Sequence, residues 1–300
     1  MAGWYVRPAL LALPGMSLAQ ALWLAALQGF SELFPISSLG HSVVVPRLLG
    51  WNIDQQSPTF LPFLVVLHLG TAAALLTFFW WDLLQLIAAW LRSVSRGKVD
   101  PASPDEHLAW MLVVGSIPAG ILGVFLQNAL KQLFAAPTIA AAFLIVNGVI
   151  MLAGERLRRS QEAAHPEKGT AKDLGALNWR TAALIGLAQS AALIPGISRS
   201  GSTITAGLRA GLSHEAAARF SFLLATPIIL AAGLLEVPEL LTPDGRGMLG
   251  ISLAGGLLAG VVAYLSVKFL MRYFEFGRLD PFAWYCMAFG AFALVFMSVR

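Results

Sequence analysis

Pro195-Gly196-Ile197-Ser198-Arg199-Ser200-Gly201-Ser202-Thr203 sets an arginine and four hydroxyls in surroundings as apolar as lipid. Leu187-Ala188-Gln189-Ser190-Ala191-Ala192-Leu193-Ile194 precedes it, and Ile204-Thr205-Ala206-Gly207-Leu208 follows. A charge at mid-membrane costs from roughly 3 to over 10 kcal/mol, so its default reading is a functional site. A snorkelling arginine would sit near one end of its apolar stretch, and Arg199 does not. Arginine forks, Ser/Thr hydroxyls and backbone N–H groups bared by glycine are what a phosphate needs.

Working outward, the whole chain has a membrane composition. Hydrophobic residues make up 57% of the 300 and charged residues 12%, with a mean hydropathy of +0.73. A soluble domain has about 45–50% apolar and about 25% charged residues. The net charge of +4 does not point to nucleic acid, because the basic residues fall in short loops between apolar spans. Cys286 is the lone cysteine, which excludes a disulfide within the chain and a Cys-type metal site. Arg7 followed by Pro8–Ala19 imitates a signal peptide with Ser17-Leu18-Ala19 as its cleavage site, but apolar sequence runs straight past it, so no cleavage is expected.

Six stretches have the length of about 20 residues that a ~30 Å hydrocarbon core demands. They are Phe60–Trp80, His107–Gln127, Pro137–Arg156, Ala217–Glu236, Leu249–Leu270 and Phe282–Val299. Two more are apolar but broken: Leu18–Leu49 at Pro35-Ile36-Ser37-Ser38, and Trp179–Gly211 at Pro195-Gly196-Ile197-Ser198. Their halves are too short to cross, so each is expected to be a hairpin that enters the bilayer and returns on the same side. Leu27–Ser42 laid on Leu187–Ser202, an offset of 160, matches at Leu27, Leu33, Pro35, Ser38 and Ser42. Hairpin plus three spans then occurs twice, and an odd number of crossings turns the second unit upside down. Inverted repeats of this kind put a binding site at mid-membrane, where broken helices meet. The expected fold is an all-α integral membrane protein of two inverted-topology repeats, each a re-entrant helical hairpin plus three transmembrane helices. The 300 residues form one membrane domain: repeat one at about 16–157, a polar linker at about 158–178, and repeat two at about 179–300.

Loop charges orient this arrangement. Arg92, Arg96 and Lys98, then Arg156, Arg158, Arg159, Lys168, Lys172 and Arg180, then Lys268, Arg272 and Arg278 all fall on one side. The opposite loops offer Lys131 and Arg246, the latter among Glu236, Glu239 and Asp244. By the positive-inside rule the basic side is cytoplasmic and both termini lie outside.

Gln28 and Glu32 are four apart and share a face of the first half-helix; Ser38 and His41 share a face of the second. The first tip thus gathers an amide, a carboxylate, hydroxyls and an imidazole. A Glu32–His41 pair with capping serines would explain one such residue, but not the whole set opposite a second polar tip. There Arg199 is the expected phosphate clamp, with Ser198, Ser200, Ser202 and Thr203 as hydroxyl donors and Gly196 and Gly201 admitting the backbone. Both returning helices start at the membrane centre and add positive dipole ends. His68 reads as a helix–helix hydrogen bond. His107, His165 and His214 read as solvated loop residues, and Gly256 with Gly260 as a close-packing pair.

Gln28-Gly-Phe-Ser-Glu32-Leu-Phe-Pro-Ile-Ser37-Ser38-Leu-Gly-His41, together with the Pro195–Thr203 run, resembles the undecaprenyl-diphosphate phosphatases of bacteria, the bacitracin-resistance family. The likeness extends to Val146–Arg156 and Ala216–Phe222. It implies removal of the terminal phosphate of undecaprenyl diphosphate, recycling the carrier lipid for cell-wall synthesis in the bacterial inner membrane. It also implies a divalent cation, Mg2+ or Ca2+. On this chain the implied metal ligands are Glu32 and Gln28, and the implied catalytic residues Glu32, Ser38, His41 and Arg199. Phosphate binding falls to Ser37, Ser198, Arg199, Ser200, Gly201 and Thr203. Many members carry glutamate where this chain has Gln28, which weakens a second metal carboxylate here. Either Ser38 attacks with His41 as base, or His41 activates water, or His41 itself attacks. The expected partners are the lipid substrate and the bilayer, not nucleic acid, with a homodimer as the possible assembly. A polyprenyl-phosphate flippase using the same site is the alternative, since broken inverted repeats are also transporter architecture.

Overall fold

A computed structural model describes residues 16–55, 57, 59–133, 136–164, 172–240, 242 and 246–299. The signal-like segment before Met16, His165 and Lys168 lie outside the described residues. Among the described residues eleven α-helices follow one another: α1 (Leu18–Ser31), α2 (Ser38–Leu48), α3 (Phe60–Phe78), α4 (Trp80–Arg96), α5 (Pro104–Leu133), α6 (Pro137–Ala164), α7 (Trp179–Ser190), α8 (Arg199–Arg209), α9 (His214–Leu240), α10 (Leu249–Tyr273) and α11 (Asp280–Val299). An isolated bridge pairs Lys172 with Leu212. Helices α3, α5, α6, α9, α10 and α11 are long and apolar enough to cross a bilayer. This is an all-α, multi-pass membrane protein.

The six expected spans coincide with these helices, and the connections differ. Trp80–Arg96, most of it left between the first two expected spans, forms α4. Gly97 in the left-handed region ends it, with Arg96 in its last turn and Asp82 in its first. Leu86, Ala89 and Ser93 are buried, while Leu84, Ile87, Leu91 and Val94 form an exposed stripe at helical spacing. An amphipathic helix of this kind lies along a membrane surface instead of crossing it. Helix α6 likewise runs on through Arg156, Arg158 and Arg159 to Ala164, into what composition marked as linker. Straight-chain arginines are good helix formers, and Arg158 donates to the Leu212 carbonyl.

Both broken segments break where expected, each for a local reason. Pro35 has no N–H to continue α1, and Ser37 caps α2 by accepting from Gly40 N at 3.2 Å. In the second, a 3-10 turn at Ala191–Leu193 leads into Pro195 and Gly196, whose φ of 102° only glycine adopts freely. Ser198 then caps α8, accepting from Gly201 N at 3.1 Å. At 1.5 Å per residue, helices of 11 to 14 residues are about 16 to 21 Å long and fall short of crossing a ~30 Å core.

The packing is reciprocal. Helix α1 lies on α10 and α7 on α5, while α3 meets α9 and α6 meets α11. Gly70, Gly256 and Gly260 let α3 and α10 approach until backbone touches backbone, as the spacing of the last two implied. Phe60, Phe63, Phe220, Phe222 and Phe274 are fully buried in the core. Two histidines expected to be solvated are held instead. His107 Nε2 donates to the Leu177 carbonyl at 2.7 Å, and His214 Nε2 meets buried Glu155 at 2.9 Å. Each is a partner for a polar group that packing has shielded from water, the Leu177 carbonyl and the Glu155 carboxylate.

Candidate active site

The two tips touch. A Cβ added to Gly40 would stand 2.9 Å from Gly196 Cα, so only paired glycines allow this approach. Asn147 of α6 stitches the breaks together: its Nδ2 donates to Pro35 O at 3.1 Å and its Oδ1 accepts from Ser198 N at 3.0 Å. Ser200 Oγ donates to Phe34 O at 3.2 Å. Buried polar backbone at a break must find partners inside the protein, and here each tip supplies them to the other.

At the junction Glu32, 7% exposed, accepts from four side chains. Ser38 Oγ donates to its Oε2 at 2.5 Å and Gln28 Nε2 at 3.0 Å. Arg199 grips its Oε1 from across the junction, at 3.4 Å from Nε and 3.2 Å from Nη2. His68 Nε2 stands 3.2 Å from Oε2. The other ring nitrogen of His68 lies 2.7 Å from the Leu64 carbonyl. Each of its nitrogens thus faces an acceptor. With the carboxylate ionised, Arg199 balances it, and His68 and two helix N-termini stand beside the pair, a setting suited to an anion. His68, expected to be structural, is therefore part of the cluster. An ionisable residue inside a membrane span was the signal that marked it.

A cavity of about 380 Å³ opens on this cluster. Glu32, Ser37, Ser38, His68, Ser198 and Arg199 form its polar end. Leu61, Leu64 and Val65 of α3, Gly120 and Val124 of α5, and Ile228, Ala232 and Leu235 of α9 form long apolar walls. A polar floor under aliphatic walls suits a charged head group carrying a hydrocarbon chain.

The remaining candidates divide. Ser200 and Thr203 lie at the junction but are tied inward: Thr203 Oγ1 donates to Ser221 Oγ at 2.6 Å, and Ser200 to Phe34 as above. Gly201 offers its N–H to the Ser198 cap, not to the cavity. Arg199 Nη1 is braced by the Ser221 carbonyl at 3.0 Å, a contact no side-chain pattern could reveal. His41 does not join the cluster. Its Nδ1 lies 2.7 Å from Ser37 O, its Nε2 lies 2.8 Å from Tyr285 Oη, and it is absent from the cavity lining. Glu32, not His41, is the acceptor beside the Ser38 hydroxyl.

The implied cation can be tested against these donors. Among the described residues no group of three His, Cys, Asp or Glu side chains gathers to hold a metal. Gln28 Oε1 is nevertheless buried without a donor, on the amide whose Nε2 donates to the Glu32 carboxylate. One carboxylate with neutral oxygens fits a hard ion such as Mg2+ that takes its other ligands from substrate phosphates.

Fold and site together define a polytopic membrane protein with a cluster of charged and hydroxyl side chains at the end of an apolar cavity. The family described as bacitracin resistance protein BacA matches residues 21–292, and the chain belongs to that family. It is 50% identical over 280 residues to a protein of Acidiphilium cryptum named undecaprenyl-diphosphatase, covering 92% of this chain and 96% of that one. It is 47% identical over 304 residues to the undecaprenyl-diphosphatase of Mycolicibacterium paratuberculosis, covering 95% and 99%. It is 46% identical to undecaprenyl-diphosphatase 2 of Chromobacterium violaceum, covering 95% of this chain and 100% of that one. These names give the flippase alternative no support.

Proposed function

We propose that this protein is an undecaprenyl-diphosphate phosphatase, releasing phosphate and undecaprenyl phosphate and so recycling the carrier lipid for cell-wall synthesis and conferring bacitracin resistance. The observation that carries this reading is the Ser38–Glu32–Arg199 contact at the floor of the cavity, in a chain about half identical to undecaprenyl-diphosphatases along nearly its whole length.

The terminal phosphate sits at the polar end, with Arg199, His68 and the N-terminal amides of α2 and α8 as donors. Arg199 meets Glu32 Oε1 with the same fork that would take a phosphate oxygen of the substrate. Ser38 Oγ attacks the terminal phosphorus while its proton passes to Glu32 Oε2, and the phosphoanhydride bond breaks to release undecaprenyl phosphate. Water then cleaves the serine–phosphate bond, and Ser38 regains its proton. Phosphoryl transfer depends mainly on positioning and electrostatics, which the fixed donors supply. Glu32 and Gln28 would hold a divalent cation, which would supply neutralisation of phosphate charge. The prenyl chain follows the aliphatic walls between α3, α5 and α9.

The same reading takes the two broken segments as re-entrant hairpins of inverted repeats, about 16–157 and about 179–300. The reciprocal packing of α1 on α10 and α7 on α5 supports this. Basic loops on one side support insertion in the bacterial inner membrane with both termini outside. Purified protein in detergent, given undecaprenyl diphosphate and Mg2+, releases phosphate, and Arg199→Ala and Ser38→Ala each lower turnover at least about 100-fold. Mass spectrometry after acid quenching finds phosphoserine at Ser38. Near-normal turnover in folded Arg199→Ala, or in folded Ser38→Ala, refutes the assignment.

A further inference from the structure

Ser37 has a φ of 69° and a ψ of 96° and is the one non-glycine residue of positive φ among the described residues. A strained backbone of this kind persists only where its surroundings over-determine it. The grip here is on the Ser37 carbonyl, which belongs to the peptide joining Ser37 to Ser38. His41 N donates to it at 3.1 Å and the His41 ring at 2.7 Å through Nδ1. A carbonyl only accepts, so Nδ1 bears the proton. The lone pair at Nε2 then accepts from the Tyr285 hydroxyl at 2.8 Å. The imidazole is stacked beside Tyr285 and Phe289, with planes 6° and 5° from parallel, and is 1% exposed. Neither nitrogen remains to take a proton from Ser38.

We propose that Tyr285 of α11 is a positioning residue that acts through His41 to hold the Ser37–Ser38 peptide in its strained orientation, aiming the Ser38 hydroxyl at Glu32. The chain of contacts runs from hydroxyl to imidazole to carbonyl, and the last peptide sets the direction of the Ser38 side chain. Neither Tyr285 nor His41 lines the cavity, whereas Ser37 and Ser38 both do. The inference rests on the assignment of Ser38 and Glu32 as the reacting pair.

The test is steady-state phosphate release from undecaprenyl diphosphate by the full chain in detergent, with melting temperatures as the folding control. Tyr285→Phe keeps the ring stack and removes only the hydroxyl. It lowers kcat about 10-fold with KM unchanged, the scale of a small misplacement of a reacting group. His41→Ala lowers kcat about 100-fold. Glycine at 37 adopts the required φ without a clamp, so in a Ser37→Gly background the His41→Ala loss shrinks to below about 10-fold. Unchanged kcat in Tyr285→Phe, or a His41→Ala loss as large with Gly at 37 as with Ser, overturns the inference. Ser38→Ala separates the two levels. If it is inactive while Tyr285→Phe is normal, the positioning role fails and the phosphatase assignment stands. If Ser38→Ala is active, the assignment itself fails.

Discussion

Glu32→Gln is the substitution that most directly probes the centre, because it keeps shape and volume and removes one charge. The carboxylate accepts from Arg199 at Oε1 and from Ser38, Gln28 and His68 at Oε2. An amide retains one acceptor. With its oxygen toward Arg199, its NH2 faces three groups that were donating, and Ser38 is left with no acceptor for its proton. General-base catalysis typically contributes 10²–10⁴-fold, so kcat falls at least about 100-fold. At about 1.36 kcal/mol per decade this is at least about 2.7 kcal/mol of barrier. Stability falls as well. Removing one partner of a buried ion pair costs about 3–5 kcal/mol, and Arg199, 11% exposed and facing the cavity, limits the loss to the lower part of that range. The assay is phosphate release under saturating lipid, paired with thermal unfolding in the same detergent. A folded Glu32→Gln protein with kcat within tenfold of the parent would refute the role given to Ser38 and Glu32 alike.

His68→Phe keeps an aromatic ring in α3 and removes a donor from the anion site. It lowers turnover about 100-fold in the same assay, and unchanged turnover would return His68 to a purely structural role. Gly40→Ala drives a methyl against Gly196 and forces the tips apart. Overpacking of this kind costs about 1–3 kcal/mol, so both the melting temperature and turnover fall, and an unchanged melting temperature would mean the tips do not touch.

The legible part of this protein lay in its extremes of composition. Six spans of about 20 apolar residues can satisfy their backbones in lipid only as helices, so their number and places followed from the chain alone. The two breaks were legible for the same reason: proline, glycine and serine in apolar sequence have no other explanation there. Arg199 and Glu32 stood out because an ionised group in lipid needs a partner. These two residues are 167 positions apart; the repetition of the broken segment is what let their tips be read as one site, and likeness to a family then supplied the roles.

Only the tertiary structure decided who pairs with whom. Helix α4 escaped because its stripe of Leu84, Ile87, Leu91 and Val94 shares the segment with Gln85, Arg92 and Ser93, and hydropathy summed along a window cannot see a face. The structure brings His68 and not His41 to Glu32: the sequence-distant histidine reaches it, while the nearer one turns to Tyr285, 244 residues away. Asn147 and the Ser221 carbonyl hold the junction from helices that meet it only after folding. Composition and periodicity fix what each segment must do with its own backbone and its own charge, because those demands are local. A partner's identity depends on which surfaces close-pack, and packing is a property of the assembled helices.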